Sequence, residues 1–172
     1  MNFLEGETYL NDGRTKVGIG FATGRRHFQR VLRSYVYNWK ESELVDSREL
    51  TLNLFVAYDL NYKNTKKANY TKISSGVDEL LFSKHFIGQK EVEEEKRSLI
   101  KRGIVDSEEA SLVFGKGYAS QRNIVLYSAL KNHIDCLLYL DDDEYPVAVT
   151  NDMGSVSWMG QHLLKTHLNY ID

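Results

Sequence analysis

A chain of 172 residues, 42% hydrophobic and 27% charged, has the size and composition of one globular domain. Its net charge of −2 argues against nonspecific nucleic-acid binding, and its single cysteine, Cys136, excludes a disulfide within the chain. No apolar run reaches the roughly 18 residues of a membrane span, and residues 1–7 lack the pattern of a signal peptide, so the expectation is a cytoplasmic protein, or one peripheral at the inner membrane face.

Residues 16–22, Lys-Val-Gly-Ile-Gly-Phe-Ala, read as a first strand. Its apolar residues alternate with glycine, which predicts a central position with close neighbours. Thr23-Gly24 makes a turn. Phe28, Val31, Leu32, Tyr35, Val36 and Trp39 then follow at i, i+3, i+4, i+7 spacing, an amphipathic helix over 28–39. A basic cluster, Arg25-Arg26-His27 with Arg30 and Arg33, lies at the start of this helix.

Residues 50–58 form a second strand, closed by Asp59. Strand, helix, strand in this order is a βαβ unit and predicts a parallel sheet. Residues 61–69 read as a polar loop, 70–73 as a short strand, and 78–86 as a short helix or an edge element. A helix is expected over 90–102, where the acids come first and the bases last, in accord with the helix dipole. Ser107-Glu108-Glu109 opens another helix, which Gly115 and Gly117 break.

A helix over 119–133 leads into a strand over 135–140, whose apolar run includes Cys136 as a small buried side chain. Residues 147–150 read as a short strand and 156–169 as a final helix.

Directly after the 135–140 strand come Asp141, Asp142, Asp143 and Glu144. Unpaired buried carboxylates are costly, so the four acids belong at a strand end facing water, a metal ion or basic groups. In open α/β sheets that end is where ligands bind. In an extended segment Asp141 and Asp143 face one way and Asp142 and Glu144 the other. Hard cations such as Mg²⁺ and Mn²⁺ take such oxygen ligands. The acids are contiguous, with no glycine at the sixth position, so the run is no EF-hand. Gly117 leading into a helix that carries Arg122 and Asn123 suits a phosphate or diphosphate.

The block from Gly117-Tyr-Ala-Ser-Gln-Arg122-Asn123 through Leu137-Leu-Tyr-Leu140 to Asp141-Asp-Asp-Glu144 resembles nucleotide-sugar glycosyltransferases of the GT-A fold, most closely the inverting family 2 type. In that family an Arg-Asn helix precedes a strand ending in an Asp-x-Asp motif. The resemblance implies a Rossmann-like GT-A sandwich: an α/β fold with a mostly parallel central sheet and helices on both faces. It implies one nucleotide-sugar-binding domain over 1–172, without a full acceptor half, because only residues 145–172 follow the motif. By the same resemblance Asp141 and Asp143, or in the overlapping register Asp142 and Glu144, hold a divalent metal, Mn²⁺ or Mg²⁺. Asp59, Arg122, Asn123 and Asp142 contact the donor, with Thr23 and Arg25 added at the first strand end. The expected partners are a nucleotide-sugar, UDP-linked ahead of GDP-linked, and an acceptor glycan, lipid or other hydroxyl compound. The first strand ends in Thr23-Gly24-Arg25 where the family has a proline-containing loop, and no catalytic base is carried over. A sugar nucleotidyltransferase and a noncatalytic nucleotide-sugar-binding module are the alternatives.

Overall fold

The computed structural model describes residues 13–44, 49–61, 65–152, 155–160 and 163–168. A four-stranded sheet has the order β3-β2-β1-β4, formed by β1 (Thr15–Thr23), β2 (Leu50–Tyr58), β3 (Ser83–Ile87) and β4 (Cys136–Tyr139). All three pairings are parallel. A separate antiparallel pair joins β5 (Val147–Asp152) and β6 (Ser155–Gly160). The fold is therefore α/β, with an all-parallel central sheet consistent with a Rossmann-like arrangement.

Strand alternation sorts the core into two layers. Val17, Ile19 and Phe21 of β1, with Leu52, Leu54 and Val56 of β2, meet Val31, Leu32, Tyr35 and Trp39 of α1 (Phe28–Glu41) on one face. Tyr70 of α2 (Lys67–Thr71), Val77 of α3 (Ser75–Asp78) and Leu164 of α7 (Leu163–Leu168) join the same cluster. On the other face Phe55 and Ala57 meet Leu99 of α4 (Gln89–Lys101), Phe114 at the end of α5 (Ser107–Val113), and Val125 and Ala129 of α6 (Tyr118–Lys131). Gly20 lies beneath α6: a Cβ there would come within 2.7 Å of Val125 Cγ1. The alternating glycines thus let α6 approach the sheet closely, as the sequence predicts.

Backbone bonds carry the ladder past the strand ends. Asp59 donates its N–H to the Thr23 carbonyl at 3.1 Å, and Leu140 donates to the Gly20 carbonyl at 3.0 Å. The loops after β1, β2 and β4 therefore emerge at one edge. Helix ends are capped by chemistry written in the sequence. The Asp106 carboxylate accepts the Glu108 and Glu109 N–H groups at 2.7 and 2.8 Å, and Glu109 accepts the Asp106 N–H at 2.9 Å, a capping box.

Four expectations change. Residues 156–169 are not one helix: β6 takes Ser155–Gly160, where Val156 and Trp158 alternate with serines, and only Leu163–Leu168 is helical. Tyr70 belongs to a helix rather than a strand, because its fully buried ring stacks between Phe28 and Tyr58. The 78–86 segment resolves into the end of α3 and edge strand β3. Cys136 and its neighbours in β4 are only half-buried, since among the described residues β4 pairs with β1 alone. Asn169 and residues 1–7 lie outside the described residues.

Candidate functional site

The strand order makes β1 the switch point: the chain moves to β2 and β3 on one side and returns to β4 on the other. Loops diverge there and leave a crevice at the carboxyl ends of the strands. A cavity of about 420 Å³ occupies that position, lined by Gly24, Arg25, Asp59, Gly117, Tyr118, Gln121, Asp141, Asp142 and Asp143. A second cavity of about 450 Å³ shares Asp59, Gly117 and Gln121 with it and continues between β2, β3 and α4 to α6. Each has the size of an ordinary small-molecule site.

The acidic run is not extended. Asp142 and Asp143 form a turn, so Asp141, Asp142 and Asp143 all reach one cavity, and the expected split between alternate side chains does not occur. Glu144 is not among the lining residues. Asp142 is the most enclosed of the pairs with Arg25: its side chain is 13% exposed, against 66% for Asp143. Thr23 Oγ1 donates to Asp142 Oδ2 at 2.6 Å. Arg25 Nη1 lies 3.2 Å from Asp142 Oδ1 and 2.8 Å from Asp143 Oδ2, so one guanidinium spans both carboxylates. The Thr23 hydroxyl also accepts the Arg25 N–H at 2.9 Å, which fixes the loop that carries the arginine. Tyr118 donates its phenol to Asp141 Oδ1 at 2.6 Å. That bond, followed by burial and the charge of Asp141, raises the Tyr118 hydroxyl above its ordinary value, so it stays a donor at neutral pH.

Tyr70 ties two loops of the site together. Its phenol donates to the Gly24 carbonyl at 2.7 Å, with the Asp59 carbonyl 3.3 Å away. Asp59 Oδ1 accepts the Asn61 N–H at 2.8 Å, which holds that carboxylate at the junction of the two cavities. Gly117, at φ 99°, is the N-cap of α6. This left-handed conformation suits glycine and aims the first turn of the helix at the cavity.

The structure thus brings Thr23, Arg25, Asp59, Asp141, Asp142 and Asp143 together. Arg122 and Asn123 do not line the cavity. The Arg122 guanidinium lies 4.8 Å from the centre of the Tyr139 ring and 5.6 Å from that of Tyr118, and the Tyr139 hydroxyl donates to the Arg122 carbonyl at 2.7 Å. Asn123 is exposed. Tyr118 and Gln121 face the cavity from the first turn of α6. Their spacing of three from each other, directly after the Gly117 cap, marks one helix face, and that signal would have found them. Tyr70 lacked any such mark, because its role depends on tertiary contacts.

Among the described residues, no three His, Cys, Asp or Glu side chains form a ready-made metal cage. The donor set still fits a hard divalent ion that keeps open positions for substrate oxygens. The donors are carboxylate oxygens on one cavity, and the Arg25 cation already bridges two of them. No family model, curated protein or solved structure matches this chain. No helix among the described residues is long and apolar enough to cross a membrane.

Proposed function

We propose that the chain is the donor-binding domain of a metal-dependent glycosyltransferase, similar to family 2 enzymes of the GT-A fold. One observation carries the reading: three consecutive carboxylates after β4 share a cavity with Asp59 after β2 and Arg25 after β1. Carboxylates beside a cation suit a ligand that is a phosphate and its counter-ion together.

In this reading Asp141 and Asp143 hold Mg²⁺ or Mn²⁺. The bound ion supplies Lewis-acid neutralisation of the leaving diphosphate. Asp142, clasped by Thr23, keeps Arg25 at the cavity rim, and the guanidinium donates to phosphate oxygens once these arrive. The first-turn N–H groups of α6 have no partners within the helix and face the same space, which favours negative charge. Asp59 accepts from the ribose or base at the junction of the cavities. Transfer forms a bond between an acceptor oxygen and the anomeric carbon and breaks the bond from that carbon to the diphosphate.

Incubation with UDP- and GDP-sugars plus Mn²⁺ tests the reading. Release or transfer of free sugar with formation of nucleoside diphosphate is the expected outcome, lost in Asp141→Ala and Asp143→Ala. Formation of nucleoside triphosphate and sugar 1-phosphate on addition of pyrophosphate, without sugar transfer, would instead favour a nucleotidyltransferase.

A further inference from the structure

The basic cluster at the start of α1 is not part of the cavity, apart from Arg25. Arg26, Arg30, Arg33, Tyr37 and Lys40 are all exposed, at steps of four, three, four and three residues. At 100° per residue Arg30, Arg33, Tyr37 and Lys40 fall within one narrow stripe, with Arg26 in the turn just before the helix, opposite the buried face made by Phe28, Val31, Leu32, Tyr35, Val36 and Trp39. The stripe is about 20 Å long at 1.5 Å per residue. None of its four cations is paired with a carboxylate among the described residues, and the helix has no acid in its first turn. Elsewhere Lys67 pairs with Glu91, Lys90 with Glu94 and Lys131 with Glu95, and the remaining cations of α4, Lys96, Arg97 and Lys101, share their helix with Glu91, Glu93, Glu94 and Glu95, whereas the stripe on α1 carries no acid between Arg26 and Lys40. On a chain of net charge −2, such a local line of four cations is a surface that attracts a polyanion.

We infer that this face of α1 adsorbs to an anionic phospholipid bilayer. The shape and surroundings of the stripe select that partner. One helix face about 20 Å long offers a few hundred Å², well below the roughly 800 Å² per partner of a stable protein interface. Adsorption to a charged bilayer has no such threshold, because each basic residue near the surface contributes independently. Tyr37, 38% exposed and 5.9 Å from the Arg33 guanidinium, sits between Arg33 and Lys40, where an aromatic ring with a polar tip suits the headgroup layer. A nucleic-acid strand fits less well. Beyond Arg26 the line of cations ends at Asp142 and Asp143, which hold Arg25, so a strand tracking the stripe runs onto carboxylates, whereas a flat surface rests on the outward cations alone. The orientation sets the cavity rim, one residue from Arg26, beside the bilayer. If the proposed transfer reaction holds, its acceptor hydroxyl is then carried by a lipid, a consequence that rests on the functional reading while the adsorption does not.

Co-sedimentation of the full chain with vesicles tests this. The probes are phosphatidylcholine alone and phosphatidylcholine mixed with phosphatidylglycerol, each at low and high salt. The expected result is binding to the anionic vesicles only, released by salt, and weakened about fivefold per charge removed in the series ending in Arg26→Gln/Arg30→Gln/Arg33→Gln/Lys40→Gln. The companion variant Lys90→Gln/Arg97→Gln/Lys101→Gln/Arg102→Gln removes the same charge from α4 and should bind as the parent does. Equal binding to neutral vesicles, equal loss in both variants, or an unchanged stripe variant would overturn the inference. So would a single-stranded oligonucleotide bound through the stripe more tightly than the anionic vesicles at the same salt.

Discussion

Thr23 is 2% exposed, and its hydroxyl lies between the Arg25 backbone N–H and the Asp142 carboxylate. Removing the hydroxyl leaves an enclosed carboxylate short of one donor, at a cost of about 1–3 kcal/mol. Thr23→Val should therefore lower the unfolding free energy by that amount, read as a lower urea midpoint at unchanged slope. Arg25 acts differently, because its side chain is 52% exposed and its ion pairs are screened. In the proposed site it is the internal competitor of a divalent ion. Arg25→Gln should tighten Mn²⁺ binding in the absence of nucleotide, by up to about fivefold for a pair worth at most about 1 kcal/mol. The same substitution should weaken binding of UDP, and calorimetry with each ligand separately reads both effects. Asp141, Asp142 and Asp143 were legible as a cluster from their order in the sequence, directly after an apolar run. Their convergence was not, since it depends on a turn at Asp142–Asp143 that four adjacent acids do not announce.

Elements meet through a few close contacts, and the approach of α6 to β1 is one of them. Gly20→Ala would force a methyl against Val125, which is fully buried, and should cost about 1–3 kcal/mol. Val125→Ala opens room for that methyl. The double variant should thus be more stable than the sum of the two single losses predicts, a coupling that denaturant melts of the four proteins measure. Across the same layer Lys131 Nζ lies 2.7 Å from Glu95 Oε2, and the Tyr127 hydroxyl donates to Glu95 as well, joining α4 to α6. Burial alone would raise the Glu95 carboxyl. The bonds from Lys131 and Tyr127 outweigh it and hold the carboxyl below its ordinary value, while burial and the Glu95 bond push the Tyr127 hydroxyl upward. A depressed carboxyl stabilises the fold above its unfolded value, about 4.3, and loses that contribution as the pH falls through the folded value. Glu95→Gln should accordingly be less stable than the parent at pH 7 and lose less stability on acidification below about pH 4.5, read by thermal melts across the acid range.

At the scale of the whole molecule, the sequence carried the parallel sheet because its evidence is periodic. The glycine-interleaved β1, the fully buried β2 and the six apolar positions of α1 each repeat a pattern long enough to identify. Short elements lack that length. The five residues of α2 span little more than one turn, and Tyr70 is recognisable only by the rings stacked on it. The strand β6 was hidden by Leu163, Leu164 and Leu168, whose helical spacing extended the apparent helix back over a segment alternating with period two. The candidate site follows the same division. Strand ends placed Asp59 and the acidic run, whereas the inward face of α6 depended on where Gly117 caps it, which turned Tyr118 and Gln121 toward the cavity in place of Arg122 and Asn123. The most direct test of a metal-diphosphate site is calorimetric titration of the chain with UDP, with and without Mn²⁺, repeated on Asp141→Asn/Asp143→Asn. The account predicts binding that requires Mn²⁺ and is lost in the double variant at unchanged melting temperature. Metal-independent binding of equal strength in both proteins, or no binding in either, would contradict it.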